Sequence, residues 1–247
     1  LPLSKLTPFY IQSFYSAKVT AGRADGKEGG LKGASIRYLH IILHQALESS
    51  VDFGLLPANP TRKVKVPNPQ DVEPEEIHPL DEDQVAQFLE AAKGSRFETL
   101  FIVALGTGLR RGELFGLKWE DIDLQDGLLT VKRTVHAVKG GLKFGPPKTK
   151  KSRRTISMPP VVVEALKKHR KEQKEEKLRL GPVYQEQGLV FPAEGGTPFH
   201  LDNIRRYFKP LLKRAGLPDI RFYDLRYPNL NKILTINKKA KVLPLSK

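Results

Sequence analysis

The sequence predicts a mainly α-helical protein with a small antiparallel β-sheet, an α+β fold in two parts. Three observations predict it. Apolar residues recur at three- and four-residue spacing through most of the chain, as in helices that bury one face. The period changes to two only after Asp126-Gly127, where Leu129-Thr130-Val131-Lys132-Arg133-Thr134-Val135 reads as a strand. Residues 63–79 hold Pro67, Pro69 and Pro74 and the acids Asp71, Glu73, Glu75 and Glu76 without periodicity, which reads as an exposed linker between two units.

The elements follow in order. Thr7-Pro8 is a helix start, with Thr as cap and Pro at the first helical position. Phe9, Ile11, Phe14 and Val19 would be its apolar stripe. Residues 22–33 form a Gly- and charge-rich loop. Ser35 would cap a second helix through Ile36, Leu39, Ile42, Leu43, Ala46 and Leu47, stopped by Gly54-Leu55-Leu56-Pro57-Ala58-Asn59-Pro60. After the linker, Asp81 and Gln84 make a capping box for a helix through Val85, Phe88, Leu89 and Ala92. Residues 97–105 form a buried helix, broken by Gly106 and Gly108, and residues 117–122 another amphipathic piece. Strands are expected at 129–135, 142–144 and 154–158, with Gly140-Gly141 as a turn. Pro159-Pro160 opens a long helix to about Leu180, whose charged half from Lys167 to Lys177 reads as a solvated face. Residues 189–192 are a short buried segment. The last helix, 201–215, turns Ile204, Phe208, Leu211 and Leu212 inward and Arg205, Arg206, Lys209 and Lys213 outward.

Charge narrows the function. The 247 residues hold 42 Lys+Arg against 27 Asp+Glu, a formal net charge of +15. Residues 1–78 carry nine basic and eight acidic side chains, whereas 132–179 carry sixteen basic and four acidic. An excess gathered into one block favours a polyanion-binding face over general solubility. The chain contains no cysteine, which excludes disulfides and thiol catalysis and fits a reducing, cytoplasmic setting. The six histidines are read as lacking the spacing of metal ligands, and no metal site is expected. No apolar run approaches the roughly 18–20 residues of a membrane span. Leu1-Pro2-Leu3-Ser4-Lys5 has no signal-peptide pattern and no initiator Met, so the chain is expected to begin inside a longer protein.

The chemistry gathers at Gly106-Thr107-Gly108-Leu109-Arg110-Arg111-Gly112-Glu113-Leu114. If a helix starts here, Arg110 and Glu113 share a face. An arginine fork held by a carboxylate is a preorganised phosphate clamp, and the plainer alternative is a surface ion pair at a helix start. Two further basic stretches accompany it: Pro147-Lys148-Thr149-Lys150-Lys151-Ser152-Arg153-Arg154, and Ile220-Arg221-Phe222-Tyr223-Asp224-Leu225-Arg226-Tyr227.

These blocks, in this order, resemble the tyrosine recombinase or phage-integrase family. Residues 3–8 are similar to the entry of that family's helical core-binding domain and 54–60 to its exit. Residues 107–117 with Trp119-Glu120-Asp121-Ile122-Asp123 resemble the first catalytic box, 147–158 the sheet loop with the catalytic lysine, and 223–226 the second box. The resemblance implies a partial core-binding domain at 1–62, a linker at 63–79 and a mixed α/β catalytic domain at 80–227 lacking its C-terminal part. An atypical basic tail follows at 228–247, and the chain would be truncated at both ends.

The resemblance also implies DNA cleavage and rejoining through a 3′-phosphotyrosyl link. Arg110 and Arg226 would clamp the scissile phosphate, Glu113 would orient the site, and Lys148, with Lys150 and Lys151 as rivals, would be the general acid. Tyr223 stands where the family has His. Arg111, Lys132, Lys150, Lys151, Arg153, Arg154, Arg205 and Arg206 are candidate contacts to duplex DNA, with Arg111 more structural than catalytic. No cofactor is implied. The nucleophile is unassigned: no Tyr follows Tyr227, a weak candidate, and Leu243-Pro244-Leu245-Ser246-Lys247 repeats residues 1–5. A DNA-binding chain of this fold that does not cut is the alternative. The family assembles tetramers on DNA, and a monomer in solution is expected of this chain.

Overall fold

The structure, a computed structural model, describes residues 2–21, 23, 28–66, 79–147 and 152–226. Lys148, Lys150, Lys151, Tyr227, most of the linker and the tail lie outside the described residues. The chain divides into two compact units, Leu1–Glu76 and Ile77–Lys247.

The first unit is helical. Helix α1 (Pro8–Thr20) starts at Pro8, and Thr7 precedes it in an extended conformation without a side-chain capping bond. Helix α2 is Gly33–Asp52, so its cap is Lys32 and Ser35 lies inside it. Ile11, Tyr15, Ile36, Leu47 and Leu56 are buried together. Phe9, Phe14 and Val19 are exposed, contrary to the expected stripe, and so is Ile42. Helix α1 is apolar nearly all round, so periodicity could not choose its inner face. Buried Asn59 ties a 3-10 turn, Pro60–Lys63, to α2. It accepts from the Thr61 N–H at 3.0 Å and donates to the His44 carbonyl at 3.0 Å and to Glu48 at 2.7 Å. His40 and His44 do have the four-residue spacing of two helical ligands, but they meet Tyr15 Oη at 3.3 Å and Thr61 Oγ1 at 2.7 Å.

The second unit opens with α3 (Glu82–Ala92), whose Asp81–Gln84 capping box forms as expected. Helix α4 (Glu98–Thr107) is buried along most of its length. Gly106 does not break it. A Cβ there would lie 2.4 Å from Val162 Cγ2, so this glycine lets α4 press against the later helix that carries Val162. Gly108 ends α4 alone, in the left-handed region at φ +61°, which a residue with a Cβ adopts at a cost. Helix α5 is the short Arg111–Phe115, and Trp119–Asp121 is a 3-10 turn.

The expected strand 129–135 is two strands in two sheets. Strands β1 (Ile122–Asp123), β2 (Leu128–Val131) and β5 (Arg154–Ser157) form one antiparallel sheet with β2 central. Strands β3 (Thr134–Val138) and β4 (Gly141–Gly145) form a separate hairpin. Lys132 and Arg133 are the joint between the sheets. Buried Asp121 holds both: its Oδ1 lies 3.4 Å from Lys132 Nζ and its Oδ2 accepts from Arg133. An alternating pattern that runs through a joint looks like one strand, which is why the break was not read.

Helix α6 (Pro160–Leu180) buries Val162 and Leu166 and leaves its later turns charged. Helix α7 (Ile204–Arg214) follows a 3-10 turn, Leu201–Asn203, and buries the four apolar residues expected of it. Phe88, Phe101 and Phe208 pack edge to face or tilted, with ring centroids 5.1 to 6.0 Å apart. A last 3-10 turn, Phe222–Arg226, is seated by Phe222, whose ring lies 5.6 Å from that of Phe208, and by buried Leu225.

Candidate phosphate site

The site is built on the turn between α4 and α5. The αL conformation of Gly108 sends the chain from buried Leu105 to extended Arg110, which precedes α5. Glu113, one turn on, folds back: its Oε2 accepts from the Arg110 N–H at 2.9 Å and its Oε1 from Arg110 Nη1 at 3.0 Å. Arg110 keeps a half-exposed side chain while the Glu113 side chain is 3% exposed. The carboxylate is thus an inner anchor and the guanidinium an outward-facing donor. Helix α5 sits close to β3, because at Gly112 a Cβ would lie 2.6 Å from both Thr134 Oγ1 and the Val135 carbonyl.

A second guanidinium reaches the same carboxylate. Arg154, first residue of β5, donates from Nη1 to Glu113 Oε1 at 3.1 Å and from Nη2 to Oε2 at 2.9 Å. Burial alone would raise the Glu113 pKa. The bonds from Arg154, the Arg110 N–H and the Arg110 guanidinium outweigh that and hold it below the ordinary 4.5.

The later block meets this turn directly. Arg226 Nε donates to the Gly108 carbonyl at 2.8 Å, two residues before Arg110. Its Nη1 donates to Tyr223 Oη at 2.7 Å, and the guanidinium carbon lies 4.9 Å from the Tyr223 ring centre. Buried Asp224 holds the approach: its carboxylate accepts from the Arg221 N–H at 2.9 Å and from the Arg221 guanidinium. Burial would raise the Asp224 pKa, but those bonds from Arg221 lower it on balance.

Arg110, Glu113, Tyr223 and Arg226 are therefore brought to one turn from positions more than a hundred residues apart in sequence. Arg154 joins them through Glu113. Arg111 instead donates to Asp202 at 3.1 Å and fastens α5 to the turn before α7. Lys132 is half exposed beside Asp121. Arg153 is exposed just before β5, and Arg205 and Arg206 are exposed on α7. The sequence reading missed the link from Arg154 to Glu113. A signal existed: in β5, Arg154 alternates with Ile156 on the less exposed side, while Thr155 and Ser157 face outward. Among the described residues no group of three or more His, Asp or Glu could hold a metal ion, and no helix is long and apolar enough to cross a membrane.

Two guanidiniums thus meet at one turn of an α+β frame, that of Arg110 held by a buried carboxylate and that of Arg226 by a main-chain carbonyl. The phage integrase family model matches residues 78–232, and the chain belongs to that family. It is 34% identical over 248 residues to a tyrosine recombinase XerC-like protein of Caldanaerobacter subterraneus subsp. tengcongensis, a match covering 94% of this chain and 61% of the relative. An integrase of Streptomyces ambofaciens is 32% identical over 195 residues, covering 75% of this chain and 48% of the relative. The chain thus spans less than two thirds of either relative. Among solved structures, the Tn1549 transposon integrase in complex with transposon right end DNA matches with a TM-score of 0.74, 20% identity, and coverage of 98% of this chain and 76% of that one. A lambda integrase dimer bound to a core site matches with a TM-score of 0.60, 21% identity, and coverage of 96% and 76%. These likenesses establish the fold.

Proposed function

We propose that this chain carries the phosphate-clamping part of a site-specific DNA recombinase, which breaks and rejoins duplex DNA through a 3′-phosphotyrosyl intermediate. The observation that carries this reading is the shared turn: Arg226 is bonded to the Gly108 carbonyl, two residues from Arg110. Two guanidinium forks then face one anion, and their charge meets the negative charge that grows on the non-bridging oxygens during transfer. Glu113 fixes the first fork, and Tyr223 receives and stacks under the second.

In the reaction a tyrosine oxygen attacks phosphorus, and the 5′-oxygen leaves carrying a proton from a lysine. Lys148 is assigned that proton, with Lys150 and Lys151 as rivals. Tyr227 is the weak candidate for nucleophile within this sequence. A Tyr in place of His at 223 keeps a hydrogen bond to the site and gives up proton exchange near neutral pH. Residues 1–62 would grip DNA, 63–79 would link, and 80–227 would hold the chemistry, acting on DNA in the cytoplasm. Lys132, Arg153, Arg205 and Arg206 would meet backbone phosphates, so binding would be strongly salt-dependent.

A nicked suicide duplex, read by denaturing gel, tests the chemistry. A covalent protein–DNA band that disappears in Arg110→Ala, with most duplex affinity kept, supports the clamp. An affinity that collapses with Arg110, or that ignores salt, overturns it. Salt-dependent binding with no covalent band from the wild-type chain would establish a DNA-binding protein of this fold that does not cut.

A further inference from the structure

We infer that Arg154 is a positioning residue of the phosphate site, acting through Glu113 and not through DNA. The inference rests on the phosphate-clamp reading proposed above. Its ground is how three charges are shared. Arg154 takes both oxygens of Glu113, at 3.1 and 2.9 Å, in a fork-to-fork pair. The Arg110 guanidinium takes only Oε1, through Nη1 at 3.0 Å. Arg110 therefore spends one guanidinium donor on Glu113 and remains half exposed.

Without Arg154 this division fails. The Glu113 side chain is 3% exposed and would face a single guanidinium. The attraction would draw Arg110 inward into the two-point pair that Arg154 now makes. Where it did not, a buried carboxylate short of partners would take up a proton. Either way the outward fork loses its aim or its anchor. With Arg154 present, two cations share one anion, and the surplus positive charge sits on the exposed member, where a phosphate would meet it.

Placement supports the same reading. Arg154 begins β5 and pairs in register with Val131 of β2, so sheet hydrogen bonds hold its backbone. It also closes the basic run of sequence that begins at Pro147, so the residue fastening Glu113 is the last of the run that holds the candidate lysines. Lysine could supply the charge here but not the two-point geometry.

The test uses the full chain labelled on arginine nitrogen and glutamate carboxyl carbon, titrated with inorganic phosphate by NMR. In wild type, phosphate should shift the Nε–H signals of Arg110 and Arg226 and leave that of Arg154 in place. Arg154→Met should weaken phosphate binding about tenfold and raise the Glu113 titration point. Arg154→Lys should keep Glu113 ionised near its wild-type point and recover only part of the affinity. If Arg154→Met does not fold, that partial recovery in Arg154→Lys carries the result. Wild-type phosphate affinity in either variant overturns the inference, and so does a phosphate shift at Arg154 as large as that at Arg110. If phosphate moves neither Arg110 nor Arg226 in wild type, the clamp reading fails. The Glu113 titration in the variants then separately decides whether Arg154 holds the carboxylate.

Discussion

Replacing Gly112 with alanine tests whether α5 is seated as tightly on β3 as the arginine turn requires. The new Cβ would lie 2.6 Å from Thr134 Oγ1 and 2.6 Å from the Val135 carbonyl, where ordinary contact begins near 3.4 Å. One obstacle is a side-chain atom and the other is backbone, so the hairpin itself must give way by several tenths of an ångström. Overpacking of that kind costs about 3 kcal/mol at the upper end. Alanine in a helix is favoured over glycine by about 1 kcal/mol, leaving a net loss of about 2 kcal/mol. For a unit of this size the melting temperature should fall by about 4–8 °C, read by calorimetry. Thr134→Ala in the same chain should recover less than half, because the carbonyl remains. Gly94→Ala is the contrast: nothing lies within 4 Å there and φ is +72°, so only a conformational cost of about 1 kcal/mol is expected. An unchanged or raised melting temperature in Gly112→Ala would refute the close seating of α5, and with it the account of how Arg110 is aimed.

Other outcomes follow from the same geometry. Asn59→Ala should destabilise the first unit by about 2–3 kcal/mol in urea unfolding, because the partners of a buried amide are left unpaired. The Glu113 pKa is lowered in the folded chain, so its ion pairs stabilise the fold above the ordinary 4.5 and are lost as pH falls through the lowered value; Glu113→Gln should flatten that part of the acid limb. His169 is held below its ordinary 6.5 by burial, and its ring nitrogen lies 2.7 Å from the Val190 carbonyl. The unfolded chain therefore takes up this proton first, stability should drop as pH falls below 6.5, and the His169 imidazole signals of the folded protein should titrate at lower pH than those of the unfolded chain. Replacing both Arg205 and Arg206 with alanine should weaken duplex binding and lower the slope of log affinity against log salt by about two.

Much of the frame was legible because local rules and tertiary packing agreed. The Asp81–Gln84 box, the Pro160 start of α6 and the inward face of α7 each form where the pattern put them. The pairing of Arg110 with Glu113 was legible too, since a three-residue spacing at a helix start is a local property. Features settled by distant contacts were not. The inner face of α1 is chosen by what α2 presents to it. Gly106 looks like a breaker until Val162 arrives from another helix. The split of residues 129–135 depends on Asp121, which grips the joint from outside the strand. Arg154 read as one more cation in a basic run, because its partner lies 41 residues earlier.

The bond between Arg226 and Gly108 closes a span of 118 residues. On a chain emerging from the ribosome, the Arg110 turn is complete long before its second arginine has been added. Contacts of such separation form late, after the intervening helices and strands have packed. Under the proposed function, a half-folded chain would present its basic surface to DNA well before it could hold one phosphate between two arginines. The order of synthesis would then put attraction first and phosphate clamping last.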